Sequence, residues 1–143
     1  ATFTFPNGNN GEWTDGNSFT SKSYTDGSYS LNLTNGTSVY NGGWDYNNNG
    51  FIKFGTSSKV GSLTITVPEN VDTVELYLSG YKAKTSKYTI NGGSAKTLTK
   101  SANNSEYDVV VIDTTENKTI TISTVSGATR MVMYSVLFYG TKQ

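Results

Sequence analysis

Apolar residues recur at every second position in short runs along this chain, and no stretch sustains the three-to-four-residue spacing of a helix. Tyr29, Leu31 and Leu33 form one such series, and Leu63, Ile65 and Val67 another. Val74, Leu76 and Leu78, then Ile120 and Ile122, repeat it. A period of two sends alternate side chains to opposite faces, so each run reads as a strand with one face buried. Valine, isoleucine and threonine fill these runs, and their branched Cβ atoms suit a pleated surface better than a helix. Between them stand Pro6-Asn7-Gly8, Gly55-Thr56-Ser57-Ser58, Pro68, Asn91-Gly92-Gly93 and Thr114-Thr115-Glu116-Asn117. Each of these breaks a ladder or supplies a turn.

The expectation is a single all-β domain over residues 1–143 built as an antiparallel β-sandwich of eight to ten strands. Thr2 to Phe5 is the first strand. Ser28–Thr34, Phe51–Phe54 and Ser62–Val67 follow, then a strand centred on Val74 to Leu78. Asn91-Gly92-Gly93 joins Tyr88–Ile90 to a return over Ala95–Leu98 as a hairpin. Tyr107–Ile112 is apolar on both faces and reads as a central strand. Lys118–Thr124 precedes the most hydrophobic run, Arg130–Tyr139, where Val132, Tyr134, Val136 and Phe138 share one side and are expected in the core. A jelly roll is favoured over an immunoglobulin-like sandwich, with the first strand pairing beside the long last one. The immunoglobulin pattern would want cysteines and a core tryptophan that this sequence does not supply.

Composition narrows the chemistry. The chain has no histidine and no cysteine, which excludes a serine-hydrolase triad and the usual zinc ligand sets. Eleven basic and eleven acidic residues balance, so no basic stripe exists for a nucleic-acid backbone. There is no long apolar run, and membrane insertion is not expected. Asp45-Tyr46-Asn47-Asn48-Asn49-Gly50 follows the first six positions of an EF-hand loop, but Thr56 stands where the twelfth position needs glutamate. A sandwich-type structural calcium site remains an expectation of another kind, with Glu12, Asp15, Asp26 and Asp45 as candidate donors. Glycoside hydrolysis needs two carboxylates across a cleft, and nothing in the spacing of Glu12, Asp45, Glu75 and Asp108 sets up such a pair. The reading is a protein that recognises rather than catalyses.

The first fifty residues suggest what it recognises. They are rich in glycine, asparagine and serine, yet hold both tryptophans, Trp13 and Trp44, among Tyr24, Tyr29, Tyr40 and Tyr46. A sugar offers a flat C–H face and a rim of hydroxyls, and is bound by an aromatic plane with amides or charged groups at its edge. Tyr40-Asn41-Gly42-Gly43-Trp44-Asp45-Tyr46-Asn47 brings these together, with glycines leaving the indole uncovered. Trp44, Trp13, Tyr46, Tyr40 and Asn47 are therefore candidate sugar contacts. Tyr77, Tyr81 and Lys82 join them, because the period places the two tyrosines on the face opposite Val74, Leu76 and Leu78. Arg130, the only arginine, is expected to fix a loop through a carboxylate, with a hydrogen bond to a ligand as the alternative.

Gly50-Phe51-Ile52-Lys53-Phe54-Gly55, Ser58 through Pro68, Val74-Glu75-Leu76-Tyr77-Leu78, Tyr88-Thr89-Ile90-Asn91-Gly92 and the closing Arg130–Tyr139 run resemble β-sandwich modules appended to secreted enzymes and surface proteins of gut and rumen bacteria. Several carbohydrate-binding modules of plant-fibre-degrading systems share that pattern. The resemblance covers the last two-thirds of the chain. It implies a secreted or cell-surface, non-catalytic module that holds linked catalytic or scaffold domains on a plant polysaccharide. Neutral β-glucan, cellulose included, or hemicellulose is the first choice. The alternative is a structural or adhesive β-sandwich domain of a bacterial surface protein.

Overall fold

The computed structural model describes residues 2–4, 18–44, 50–82, 85–127 and 130–140. Twelve strands occur among them: β1 (Thr2–Thr4), β2 (Ser21–Asp26), β3 (Tyr29–Thr37), β4 (Val39–Trp44), β5 (Gly50–Phe54), β6 (Ser62–Thr66), β7 (Val71–Gly80), β8 (Lys87–Ile90), β9 (Lys96–Thr97), β10 (Asp108–Asp113), β11 (Thr119–Thr124) and β12 (Met131–Gly140). One 3-10 turn, Ala102–Asn104, lies between β9 and β10. The strands form two antiparallel sheets of six. The first runs β10-β7-β12-β5-β4, with β1 also on β12; the second runs β2-β3-β6-β11-β8-β9.

From β5 onward the pairing is nested: β5 with β12, β6 with β11, β7 with β10, and β8 with β9. The innermost pair is the hairpin at Asn91-Gly92. There Asn91 and Gly92 take φ of 51° and 74°, and Gly93 N–H donates to Ile90 C=O at 2.9 Å. Positive φ at both central residues matches the right-handed twist of the strands they join. The Asn91 side chain also accepts from Thr121 N–H at 2.7 Å, tying this hairpin to β11.

One buried cluster draws on both sheets. Ile52, Phe54, Val74, Leu76, Leu78, Met131 and Met133 come from the first, and Leu31, Leu33, Leu63, Ile65, Ile120 and Ile122 from the second. Leu31, Leu33, Leu63, Ile65, Val74, Leu76, Leu78, Ile120 and Ile122 are the inward positions that the two-residue period selects. Two expectations are corrected. β10 is an edge strand paired with β7 alone among the described residues; Val110 and Ile112 pack on the core while Val109 and Val111 are exposed. In β12 the register against β7 slips between Met133 and Ser135. The extra residue is Tyr134, and such a bulge switches the facing of the residues after it. Met131, Met133, Val136 and Phe138 therefore enter the main core, while Val132 and Tyr134 are buried in a second cluster with Phe51 and Ala102.

Gly61 shows how closely the connections pack. A Cβ there would stand 2.2 Å from Gly55 N and 2.8 Å from Thr37 O. Its own N–H and C=O bond Thr124 at 2.9 and 2.8 Å. Backbone on both sides cannot yield as a flexible side chain would. Gly61→Ala is expected to destabilise the fold by about 1–3 kcal/mol, read from the urea midpoint.

Candidate functional site: an aromatic face on the first sheet

Several residues of β5, β7 and β12 that point away from the main core are aromatic or basic. On β7, Tyr77 alternates with the buried Leu76 and Leu78, and Tyr81 follows the strand end at Gly80. On β5, Phe51 and Lys53 alternate with Ile52 and Phe54. The bulge turns Tyr134 to this same side, where its hydroxyl meets that of the buried Ser79 at 3.3 Å. Tyr107, just ahead of β10, completes the set and is 44% exposed.

These rings form a connected row. Tyr77 and Tyr107 lie 4.7 Å apart between centroids, tilted by 35°. Tyr107 is 6.0 Å from Tyr134, which meets Phe51 edge-on at 6.0 Å and 86°. Phe51 meets Tyr81 edge-on at 6.5 Å. Edge-to-face contacts at such distances suit the ring quadrupole and lock each plane against its neighbour. Phe51 and Tyr134 are buried in this row, Tyr77 and Tyr81 are half-buried and Tyr107 is exposed.

Basic groups gather at the Tyr81 end. Lys53 Nζ sits 4.8 Å from the Tyr81 centroid and 5.2 Å from that of Tyr40 on β4. Lys82 Nζ is 5.5 Å and the Arg130 guanidinium 5.1 Å from the Tyr81 ring, within the range of cation–π attraction. Burial, then the charges of Arg130 and Lys82, push the Lys53 ammonium below its ordinary value. The ion pair among the described residues, Lys100 with Glu106 at 3.3 Å, involves none of these three. Among the described residues the Arg130 guanidinium lies over the Tyr81 ring and no carboxylate pairs with it.

A pinned loop places the Tyr81 end. Asp108 accepts from Thr99 N–H and Oγ1, both at 2.7 Å, and from Lys100 N–H at 3.3 Å. Gly80 N–H then donates to Lys100 C=O at 2.9 Å. Ser101 Oγ donates to Lys82 C=O, and Asn103 N–H reaches the same oxygen at 3.4 Å. These bonds hold Lys82 at φ 54°, a conformation a long side chain adopts only when its surroundings impose it. Tyr81 N–H meets Arg130 C=O at 3.4 Å, and Ser86 Oγ donates to that carbonyl as well.

Of the residues singled out in the sequence, the structure brings together Tyr77, Tyr81, Lys82 and, across Lys53, Tyr40. Trp44 ends β4 with its backbone paired to Gly50, and its side chain lies outside the described part, as do Trp13, Tyr46 and Asn47 altogether. So do the carboxylates of the calcium candidates Glu12, Asp15, Asp26 and Asp45. Among the described residues no group of three or more acidic side chains is placed to hold a metal ion. Phe51, Lys53, Tyr107, Tyr134 and Arg130 join the face without having been selected. For Phe51 and Lys53 the signal was present, because their parity in Phe51-Ile52-Lys53-Phe54 is opposite to that of Ile52 and Phe54. No protein-family model matches the chain, and no curated protein is significantly similar to it.

Proposed function

We propose that this chain is a secreted, non-catalytic polysaccharide-binding module of jelly-roll architecture, which keeps a linked enzyme or scaffold on its substrate. The observation that carries this reading is the row of mutually braced rings on the outer face of β7, β12 and β5, with basic groups at one end. Rings braced by their neighbours lose little freedom when a sugar stacks on them, so less of the binding energy is lost to ordering. The nested pairing of β5 through β12 supports the jelly roll: folding one long hairpin over itself gives that strand order in two sheets.

Affinity electrophoresis against soluble glucans, xylan, mannans, pectins and starch tests it. Migration is expected to be retarded by at least one polymer. Tyr107→Ala, which removes the most exposed ring of the row, is expected to weaken that retardation several-fold. Unchanged migration on every polymer refutes the proposal. The structural or adhesive reading would then gain ground, and β10 is what favours it: an edge strand bearing the exposed valines 109 and 111 is suited to a protein partner.

A further inference from the structure

We propose that Lys53, Lys82 and Arg130 around Tyr81 form a subsite for the carboxylate of a uronic-acid residue, so that the polymer taken by this face is an acidic polysaccharide. This inference rests on the polysaccharide-binding reading above and names its ligand class.

Three cations reach one ring from separate parts of the chain: Lys53 from β5, Lys82 from the turn after β7, and Arg130 from the entrance to β12. Like charges so gathered repel, and Lys53 is half-buried as well. The Lys82 backbone is held in a left-handed conformation by two bonds to its carbonyl. Cation–π attraction to one tyrosine offsets only part of this. An anion lying among the three would reverse the sign of the dominant interaction.

The geometry selects the kind of anion. In a uronic acid the carboxylate is bonded directly to the sugar ring. A ring stacked against Tyr81 therefore carries its charge to the tyrosine's rim, where the cations lie 4.8, 5.5 and 5.1 Å from the centroid. A sulfate or phosphate ester holds its charge on an arm farther from the stacked face. The Arg130 guanidinium offers the planar fork that meets a carboxylate bidentately, and the lysines add point charges. A neutral sugar would take hydrogen bonds from these donors but leave their mutual repulsion unrelieved. Formal neutrality of the whole chain is an average and does not describe the field at this end of the row.

The test is binding of the intact chain to polygalacturonate, to the same polymer with its carboxylates methyl-esterified, to a neutral xylan and to dextran sulfate. Polygalacturonate is expected to bind best, at least about tenfold more tightly than the esterified form, with affinity falling as salt is raised. Arg130→Gln and Lys53→Met are each expected to weaken polygalacturonate binding by at least about tenfold. Lys53→Met should do so while leaving the melting temperature unchanged or raised, because it removes a repelled, half-buried charge; a merely structural lysine would lower it. Equal binding of the esterified and free polymers, or equally tight binding of dextran sulfate, overturns the carboxylate subsite. If Tyr107→Ala still weakens binding in that event, the polysaccharide reading stands without it. Failure to bind any of the polymers overturns both.

Discussion

Replacing Phe54 by alanine is expected to cost about 3–5 kcal/mol of stability, the largest effect of any single change considered for this fold. Phe54 is fully buried, in β5 between β4 and β12, opposite Val39 on one side and Met131 on the other. Its ring belongs to the cluster into which both sheets point. Truncation removes the transfer free energy of the ring and leaves a cavity. Strands held by ladders on both sides cannot close around that cavity. Small domains are stable by about 5–15 kcal/mol in total, so the variant would sit near the edge of folding at physiological temperature. Urea unfolding checks it: the midpoint should fall sharply with the slope unchanged. A loss below about 1 kcal/mol would mean that the sheets do not share a tightly packed interior here.

Tyr81→Ala is expected to do the opposite, damaging binding and sparing the fold. Tyr81 lies past the end of β7, half-exposed, and contributes nothing to the main core. Its ring nevertheless organises the site: Phe51 packs edge-on to it, and Lys53, Lys82 and Arg130 all lie over it. Without the ring the ligand loses a stacking plane, and the three cations lose their common neighbour. A residue at the centre of such a group typically accounts for about 2 kcal/mol or more of binding free energy, a loss of about 30-fold. Polysaccharide affinity measured by calorimetry should fall by that order, with a melting temperature close to that of the parent. Tyr81→Phe keeps the plane and should retain most of the affinity. Equal affinities for the alanine variant and the parent would remove Tyr81 from the site.

Much of the fold could be read from the sequence because alternation reports directly on burial. Leu63 and Ile65, Leu76 and Leu78, and Ile120 and Ile122 all lie where a period of two puts them. The pairing of β1 with β12 and the Asn91-Gly92 hairpin were equally legible. β2 and β4 were not anticipated, since their glycines, asparagines and serines carry turn signals more strongly than strand signals. β10 was misplaced for a different reason. Apolar residues on both faces fit a central strand, but they fit an edge strand with an apolar outer face just as well. The bulge at Tyr134 leaves no trace in periodicity, because one inserted residue switches parity without altering composition. The site was legible one strand at a time: Tyr77 and Tyr81 followed from the parity of β7, and Lys82 from its place beside Tyr81. That β12 and then β5 follow β7 across the sheet is a matter of topology, and this is why Phe51 and Lys53 escaped notice and Arg130 was assigned to a loop.

The nested pairing also sets the order in which the molecule can assemble. β12 lies at the middle of its sheet, bonded to β7, β5 and β1, yet it is the last of the described strands to be made. As synthesis proceeds, β5 and β7 emerge well before the strand that must join them. The first sheet stays split, with apolar edges open, until Gly140 has left the ribosome. The local pairs β2–β3, β4–β5 and β8–β9 can close early. Pairings between such distant segments carry a large loop-closure cost, which places folding in the millisecond-to-second range typical of all-β proteins dominated by non-local pairing. A cell making this protein must therefore shield the unpaired strands of the growing chain for most of its synthesis.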